Sequence, residues 1–347
     1  GNVLNVFFVF FRLLMQLFMF NSPQLTCCSR DSRETVSALT MGNSGSSPDF
    51  TYEAVPDQSG KTVLITGANL GLGFALTADY INKTKVEKVI MACRSKEKCE
   101  NAMQKLGNDK RLQFLALDLS DFDSVKQAAK DLSGILGSTK LDALILNAGV
   151  LNLQKATTKQ GLEATMGVCH FGHFLLTALV WPMLSADARI VPVSSVGHTW
   201  TKKGIDFEDI NWEKRDYDAY EAYFQAKLAN VYFTKELGRR CEAVGKKVTS
   251  VTLSPGFGKS GLYRDFSSCQ DFLVGFVSEE NEKLSINTMR AATDMTLSNG
   301  DYLVPKRFGF YGPPIVTEAS DLSKDVDVAA KLWKVSEEIT GQNFQIK

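Results

Sequence analysis

The sequence predicts an α/β fold: one doubly wound parallel sheet with helices on both faces, in a single domain spanning residues 60–347. Three observations carry that prediction. Short apolar runs of buried-strand length recur after residue 60, helical patterns separate them, and a glycine turn closes the first run where it passes into a helix. Strands apolar on both faces belong to parallel sheets covered by helices on each side. Such a sheet binds its ligand at the carboxyl ends of its strands, so the residues just after each run are the candidates for function.

The stretch "KTVLITGANLGLGFALTADYI" (61–81) holds the first strand, the turn and a helix. "KVIMACR" (88–94), "LQFLALDLS" (112–120), "LDALILNAG" (141–149), "RIVPVSS" (189–195) and "KVTSVTLSPG" (247–256) follow as strands. "GDYLVPKRFGFYG" (300–312) reads as one last strand, and "DVAAKLWKVSEEITG" (327–341) as a C-terminal helix closed by Gly341. No internal repeat is visible.

The bulk numbers agree with one globular domain. The chain has 347 residues, with 39 basic and 39 acidic side chains, and this balance argues against a nucleic-acid partner. Its seven cysteines (Cys27, Cys28, Cys93, Cys99, Cys169, Cys241 and Cys269) form no Cys-x-x-Cys pair and there are three histidines, so neither a metal site nor a disulfide framework is expected. The first 59 residues differ in kind. The apolar run 2–20, with Arg12 near its middle, reads as a signal-peptide core or membrane anchor that is marginal for spanning. Residues 21–59, rich in Ser, Asp and Pro, read as a disordered linker. Met41 opens "MGNSGS", which matches a myristoylation pattern if translation starts there; the other reading is that everything before Met41 is upstream sequence or tag. The location stays open between cytoplasmic and membrane-associated through the N-terminal segment, with organelle targeting a further reading if residues 1–40 are native. Nothing in the sequence sets the oligomeric state.

The first turn is Gly67-Ala68-Asn69-Leu70-Gly71-Leu72-Gly73. Glycines there let the backbone turn tightly and approach a phosphate, to which the new helix offers unpaired N–H groups. A tight turn without ligand is the bland alternative, and the strand–turn–helix context speaks against it. Arg94 ends the second strand, where an acidic residue would hold the ribose of NAD and an arginine accommodates the 2′-phosphate of NADP. A solvated basic helix start would look similar, but the position is set by topology, so NADPH/NADP is the expected cofactor.

In their order these motifs resemble the short-chain dehydrogenase/reductase family, over about Gly60 to the end. "TGANLGLG" is similar to its cofactor turn, "LDLS" with Asp118 and Leu119 to its adenine-contacting segment, and "LNAG" with Asn147, Ala148 and Gly149 to its Asn-Ala-Gly strand end. "VSSVGH" resembles its serine strand, "YFQAK" its Tyr-x-x-x-Lys signature, and "SPGFGKS" with Pro255, Gly256 and Ser260 the segment beside the nicotinamide. The resemblance implies a Rossmann-type fold, NADP binding and a catalytic set of Ser195, Tyr223 and Lys227, the last two also touching the cofactor. Two branches look closest. "AYFQAKLANVYFTKELGRR" (222–240) is similar to retinol-dehydrogenase-like enzymes, whereas "GLYRD", "GFVSEE", "EASD" and "KLWKVSEEITG" resemble light-dependent protochlorophyllide reductases. Against the latter, only 27 residues separate Ser195 from Tyr223, and Phe257 stands where that branch usually has Cys.

An i,i+4 spacing puts Tyr223 and Lys227 on one helix face, where the ammonium, together with the nicotinamide's positive charge, would lower the phenol's pKa toward a useful range. A surface pair at that spacing is otherwise common by chance. Ser195 would hydrogen-bond the substrate oxygen; Ser194 is its rival, pointing to the opposite face of a strand. One departure touches the set: Cys169 stands where the family commonly has an asparagine that supports a water chain to the lysine. His170 and His173 read as helix-packing residues. Phe257, Leu262, Tyr263, Phe266, Phe272 and Phe276 suggest an aromatic lid over a large, apolar small-molecule substrate, although aromatics at helical spacing more often form core. The leading expectation is an NADPH-dependent oxidoreductase of bulky apolar carbonyls or alcohols. Its alternatives are light-dependent protochlorophyllide reduction and a non-catalytic NADP-binding scaffold, the latter motivated by Cys169.

Overall fold

Strand β1 (Thr62–Thr66) is buried at all five residues, and the main sheet is laid out around it. The computed structural model describes residues 49–201, 203–256 and 280–346. β2 (Lys88–Cys93), β3 (Leu112–Ala116), β4 (Leu141–Leu146), β5 (Leu184–Pro192) and β6 (Thr249–Ser250) complete a six-stranded parallel sheet in the order β3-β2-β1-β4-β5-β6. This is the predicted Rossmann-type architecture. The order reverses between β1 and β4, which opens a crevice at their carboxyl ends.

Alternation along the strands supplies both halves of the core. Leu64, Ile90, Leu144 and Ile190 face one layer; Val63, Ile65, Val89, Met91, Ile145 and Val191 face the other. The first layer holds α3 (Phe122–Leu136), α4, α5 (Ala219–Ala243) and α7 (Val326–Thr340); the second holds α1 (Gly71–Lys83), α2 (Lys96–Lys105) and α6 (Asn281–Thr293). Helix α4 is composite: α-helical at Ala164–Met166, π-helical at Gly167–Phe171 and α-helical again at Gly172–Val180. The helical run Ala164–Met183 is long and apolar enough to cross a membrane by length and composition, but 78% of its apolar window is buried inside the fold. The apolar run 2–20 lies outside the described residues.

Several boundaries differ from the sequence reading. β3 stops at Ala116, because the Asp118 carboxylate accepts from Ser120 N (2.9 Å) and Ser120 Oγ (2.6 Å) and turns the chain. The run 247–256 divides around Val251 into β6 and β7 (Thr252–Leu253). The predicted last strand, 300–312, is two strands: β8 (Tyr302–Arg307), parallel to β7, and β9 (Tyr311–Thr317), antiparallel to β8. Phe308 and Gly309 both adopt left-handed φ, 59° and 76°, and reverse the chain between them. The linker was expected to reach residue 59, yet the compact unit begins at Phe50. Tyr52 anchors it: its hydroxyl donates to buried Asp79 at 2.6 Å, and the Lys83 ammonium lies 3.6 Å from its ring centre. Aromatic packing and a charge-assisted hydrogen bond give that stretch a fixed place that its polar composition conceals.

Helix α7 ends at Gly341, which is left-handed at φ 64° as its position in the sequence suggested. It holds its layer through Trp333, whose ring stacks on Phe344 at 4.9 Å and Phe233 at 5.8 Å and meets Phe174 edge-on at 5.2 Å. Trp333 is 2% exposed. Its replacement by alanine should cost about 3–5 kcal/mol, the usual range for a buried large aromatic, and a denaturant titration against the parent protein measures it. A change below about 1 kcal/mol would contradict this packing account.

Candidate active site

The crevice is built from strand ends. Gly67 follows β1 at φ 67°, a left-handed conformation that a side chain would strain. Gly73, in the first turn of α1, is pressed so close that a Cβ there would lie 2.4 Å from the Gly67 carbonyl oxygen and 2.6 Å from Asn147 Nδ2. Leu70 sits at the N-cap of α1 and makes no side-chain cap bond. By contrast, Ser95, Asp121, Asp218 and Asp325 cap α2, α3, α5 and α7 with side-chain oxygens. The first N–H groups of α1, at Gly71, Leu72 and Gly73, therefore have no capping side chain competing for an anion. Asn69 and Leu70 form the rim, with Leu70 51% exposed. Arg94 stands exposed at the end of β2. An uncapped helix start behind a glycine turn, with an exposed guanidinium one strand away, fits a phosphorylated dinucleotide.

Thr66 ties the crevice floor together. Its hydroxyl accepts from Ala148 N at 2.9 Å and lies 3.0 Å from His173 Nε2, and its carbonyl accepts from Asn147 Nδ2 at 2.8 Å. His173 Nδ1 lies 3.1 Å from the Cys169 carbonyl, which can only accept, so that nitrogen carries the proton. Nε2 is then the acceptor of the Thr66 hydroxyl. His173 thus joins the cofactor turn, the Asn-Ala-Gly segment and the π-helical turn of α4, a larger part than helix packing alone. His170 is buried and meets Ser336 Oγ at 2.8 Å. Cys169 keeps its main chain in the π-turn, while its thiol contacts both Val150 N (3.5 Å) and Val150 O (3.7 Å). Burial pushes that thiol's pKa up, against the pull of the Lys227 charge.

Ser195 ends the β5 segment as the N-cap of a short 3₁₀ turn, Val196–Thr199, and its Oγ accepts from Gly197 N at 3.1 Å. Ser194 does point the other way: it is buried and donates to the Lys227 carbonyl at 2.8 Å. Lys227 is 3% exposed, and its ammonium donates to the Val193 carbonyl at 3.0 Å, beside Asn230 Nδ2 at 3.1 Å on the same oxygen. A Cβ on Gly149 would sit 3.3 Å from that ammonium and 3.5 Å from Cys169 Sγ, so the Asn-Ala-Gly segment lies directly against the lysine. The ammonium is 5.5 Å from the centre of the Tyr223 ring.

The expected lowering of the Tyr223 pKa by Lys227 is not what this geometry produces in the protein alone. Burial raises it, the neighbouring Cys169 adds to the rise, and only the Ser195 hydroxyl pulls it down. The lysine spends its charge on Val193, and burial lowers its own pKa. Tyr223 is partly exposed by surface area yet densely surrounded at its hydroxyl; the dense surroundings govern its ionisation. The phenol is accordingly a protonated group beside a hydroxyl.

Asp118 and Leu119 end the β3 segment, Asp118 with one carboxylate oxygen committed to Ser120 and Leu119 buried. The Pro255 carbonyl accepts from Asn287 Nδ2 at 3.1 Å, and Gly256 adopts φ 102°. Ser260, Phe257 and the aromatic segment through Phe276 lie outside the described residues. Thr66, His198 and Asn230 escaped the sequence reading, and His173 entered it only as a packing residue. Thr66 had one usable signal, its place as the last strand residue before a glycine turn.

A family profile described as short chain dehydrogenase matches residues 61–205. Retinol dehydrogenase 13 of Mus musculus is 34% identical over 81% of this chain and 84% of its own length. Retinol dehydrogenase 12 of Homo sapiens is 38% identical over 82% of this chain and 88% of its own. The crystal structure of an uncharacterized protein from Mycobacterium Paratuberculosis superposes with a TM-score of 0.72 at 33% identity, covering 86% of this chain and 100% of that one. NADPH bound carbonyl reductase from chicken fatty liver shares the fold, with a TM-score of 0.54 at 20% identity over 71% of this chain and 96% of that one.

The three buried histidines set an acid limit on the site. Burial pulls His170 and His173 down to about 3 and His198 down to about 4, from an ordinary 6.5. The unfolded chain takes up these protons near 6.5 while the fold refuses them, so stability is complete above about 6.5 and is lost as pH falls through the window toward 4 and 3. Urea midpoints should fall steadily between about pH 7 and pH 4.5, each histidine contributing up to about 1.4 kcal/mol per pH unit. A flat profile over that range would show that the rings are not held neutral.

Proposed function

This chain belongs to the short-chain dehydrogenase/reductase family, and from that premise we propose that it is an NADPH-dependent oxidoreductase acting on bulky apolar carbonyls or alcohols of the retinol type. The observation that supports the reading is that the Tyr223 phenol lies beside the Ser195 hydroxyl, with the Lys227 ammonium 5.5 Å from its ring and against Gly149 of the segment next to the glycine turn. The retinol dehydrogenases among its relatives carry their substrate class in their names and support the apolar assignment. Those relatives give the protochlorophyllide reading no support.

Gly67 to Gly73 would receive the pyrophosphate and Arg94 the 2′-phosphate, with Asp118 and Leu119 toward the adenine and Asn147 to Gly149, Pro255 and Gly256 toward the nicotinamide side. When bound, the reduced dinucleotide supplies the hydride. The Ser195 hydroxyl accepts from Gly197 N and lies beside the Tyr223 phenol, so its own proton can be shared with a substrate oxygen placed between them. Tyr223, kept protonated by burial, delivers its proton to that oxygen as the carbonyl is reduced, and recovers it from an alcohol in the reverse direction. Lys227, held under Val193 and against Gly149, would meet the nicotinamide ribose once the dinucleotide is bound, and its ammonium, 5.5 Å from the Tyr223 ring, would steady the phenolate left after proton transfer.

Two measurements test this. NADPH should bind at least about tenfold more tightly than NADH, roughly 1.4 kcal/mol, and Arg94→Ala should remove most of that preference in a fluorescence titration of both nucleotides. Equal affinities in the parent protein would rule the NADP assignment out. On an all-trans retinal or long-chain aldehyde substrate, Tyr223→Phe should lower kcat by about 10²–10⁴-fold with little change in nucleotide affinity. Near-normal turnover by that variant would exclude Tyr223 as the acid.

A further inference from the structure

The proposed mechanism leaves His198 without a part, although it is 0% exposed and lies three residues past Ser195. Both ring nitrogens are engaged. Nδ1 lies 2.7 Å from the Ser195 carbonyl oxygen, and Nε2 lies 3.1 Å from the main-chain nitrogen of Ser320, just ahead of α7. A main-chain N–H can only donate, so Nε2 must be the unprotonated nitrogen. Nδ1 then carries the proton and donates to Ser195. The same carbonyl also accepts the main-chain N–H of His198 at 3.1 Å, so one side chain closes a small ring around the serine backbone.

The surroundings keep the imidazole in that state. Tyr302 from β8 packs edge-on at 5.0 Å. Lys235 from α5 adds positive charge nearby, and its own neighbours are Ser323, Glu318 and Lys324. Burial, opposed by the bond to Ser195 and assisted by Lys235, holds the ring neutral at physiological pH. A protonated ring would turn its Nε2 donor toward the Ser320 N–H, two donors facing one another.

We propose that His198 is a positioning residue: by gripping the main chain of Ser195 on one side and the segment ahead of α7 on the other, it sets where the serine hydroxyl meets the substrate oxygen. The inference rests on the reading that Ser195 holds that oxygen. Nothing else on the ring reaches the reacting atoms; its effect passes through Ser195 alone. Reaction geometry is steep in distance, and a misplacement of about 1 Å can cost about 10²-fold.

Three substitutions separate positioning from simple packing. In His198→Asn the side-chain amide stands near the Nδ1 place and can still donate to Ser195, leaving Ser320 without its acceptor. In His198→Gln the amide reaches the Nε2 place and can serve Ser320 but not Ser195. His198→Phe fills the space and makes neither bond. With NADPH and a saturating apolar aldehyde, His198→Phe and His198→Gln should lower kcat about tenfold or more with KM for NADPH within about twofold, while His198→Asn recovers most of kcat. If His198→Phe does not fold, the Asn–Gln pair decides alone. Equal kcat for Asn and Gln, or a Phe variant that keeps parental kcat, overturns the proposal. Ser195→Ala measured alongside keeps the two readings apart. A loss there with none in His198→Phe sinks only the positioning role, whereas unchanged turnover in Ser195→Ala sinks the serine's role first.

Discussion

The approach of the β1 and β4 carboxyl ends to one another is the constraint on which the rest of the molecule depends. Thr66 holds them by accepting from Ala148 and, through its carbonyl, from Asn147. The gap so defined is too narrow for a side chain on Gly73. It also brings Gly149 against Lys227, so one hydrogen-bonded seam links the glycine turn to the end of the crevice proposed for the reaction. Hydrogen bonds buried this way are individually modest, but each leaves an unsatisfied polar group if its partner is lost.

The fold was legible because its signals are local. Apolar runs, a glycine turn and capping residues can be read within a few positions, and so can Tyr223 and Lys227, which share a helix face. Strand alternation set Ser194 and Ser195 on opposite faces and the family resemblance named Ser195, while the structure gives Ser194 its own buried partner on α5. What stayed hidden depends on distant pairs. His173 meets Thr66 across 107 positions and His198 meets Ser320 across 122, separations at which one sequence carries no usable pattern. The β8–β9 reversal was missed for a different reason. It turns on a phenylalanine in a left-handed conformation, which few non-glycine residues adopt.

Cys169 illustrates how a departure in sequence becomes a local adjustment in structure. The main chain at this position lies in the π-helical turn, and its carbonyl accepts from the His173 ring. π-turns of this kind recur where a helix must re-aim a backbone group toward a site. The thiol meanwhile packs against Val150 and the lysine, a weakly polar neighbour that neither donates strongly nor competes for the ammonium.

The antiparallel end strand has a consequence for how the protein behaves in a crowded solution. β9 is the last strand beyond β8, and it carries Pro313 and Pro314 in succession, with Pro314 opposite Pro305. Proline has no N–H to offer, so a stretch of that edge cannot template the addition of another chain. An unpaired strand edge is a ready template for association with another chain. β9 is the outer strand of the three-stranded sheet β7-β8-β9, and its prolines keep that edge from pairing with another chain.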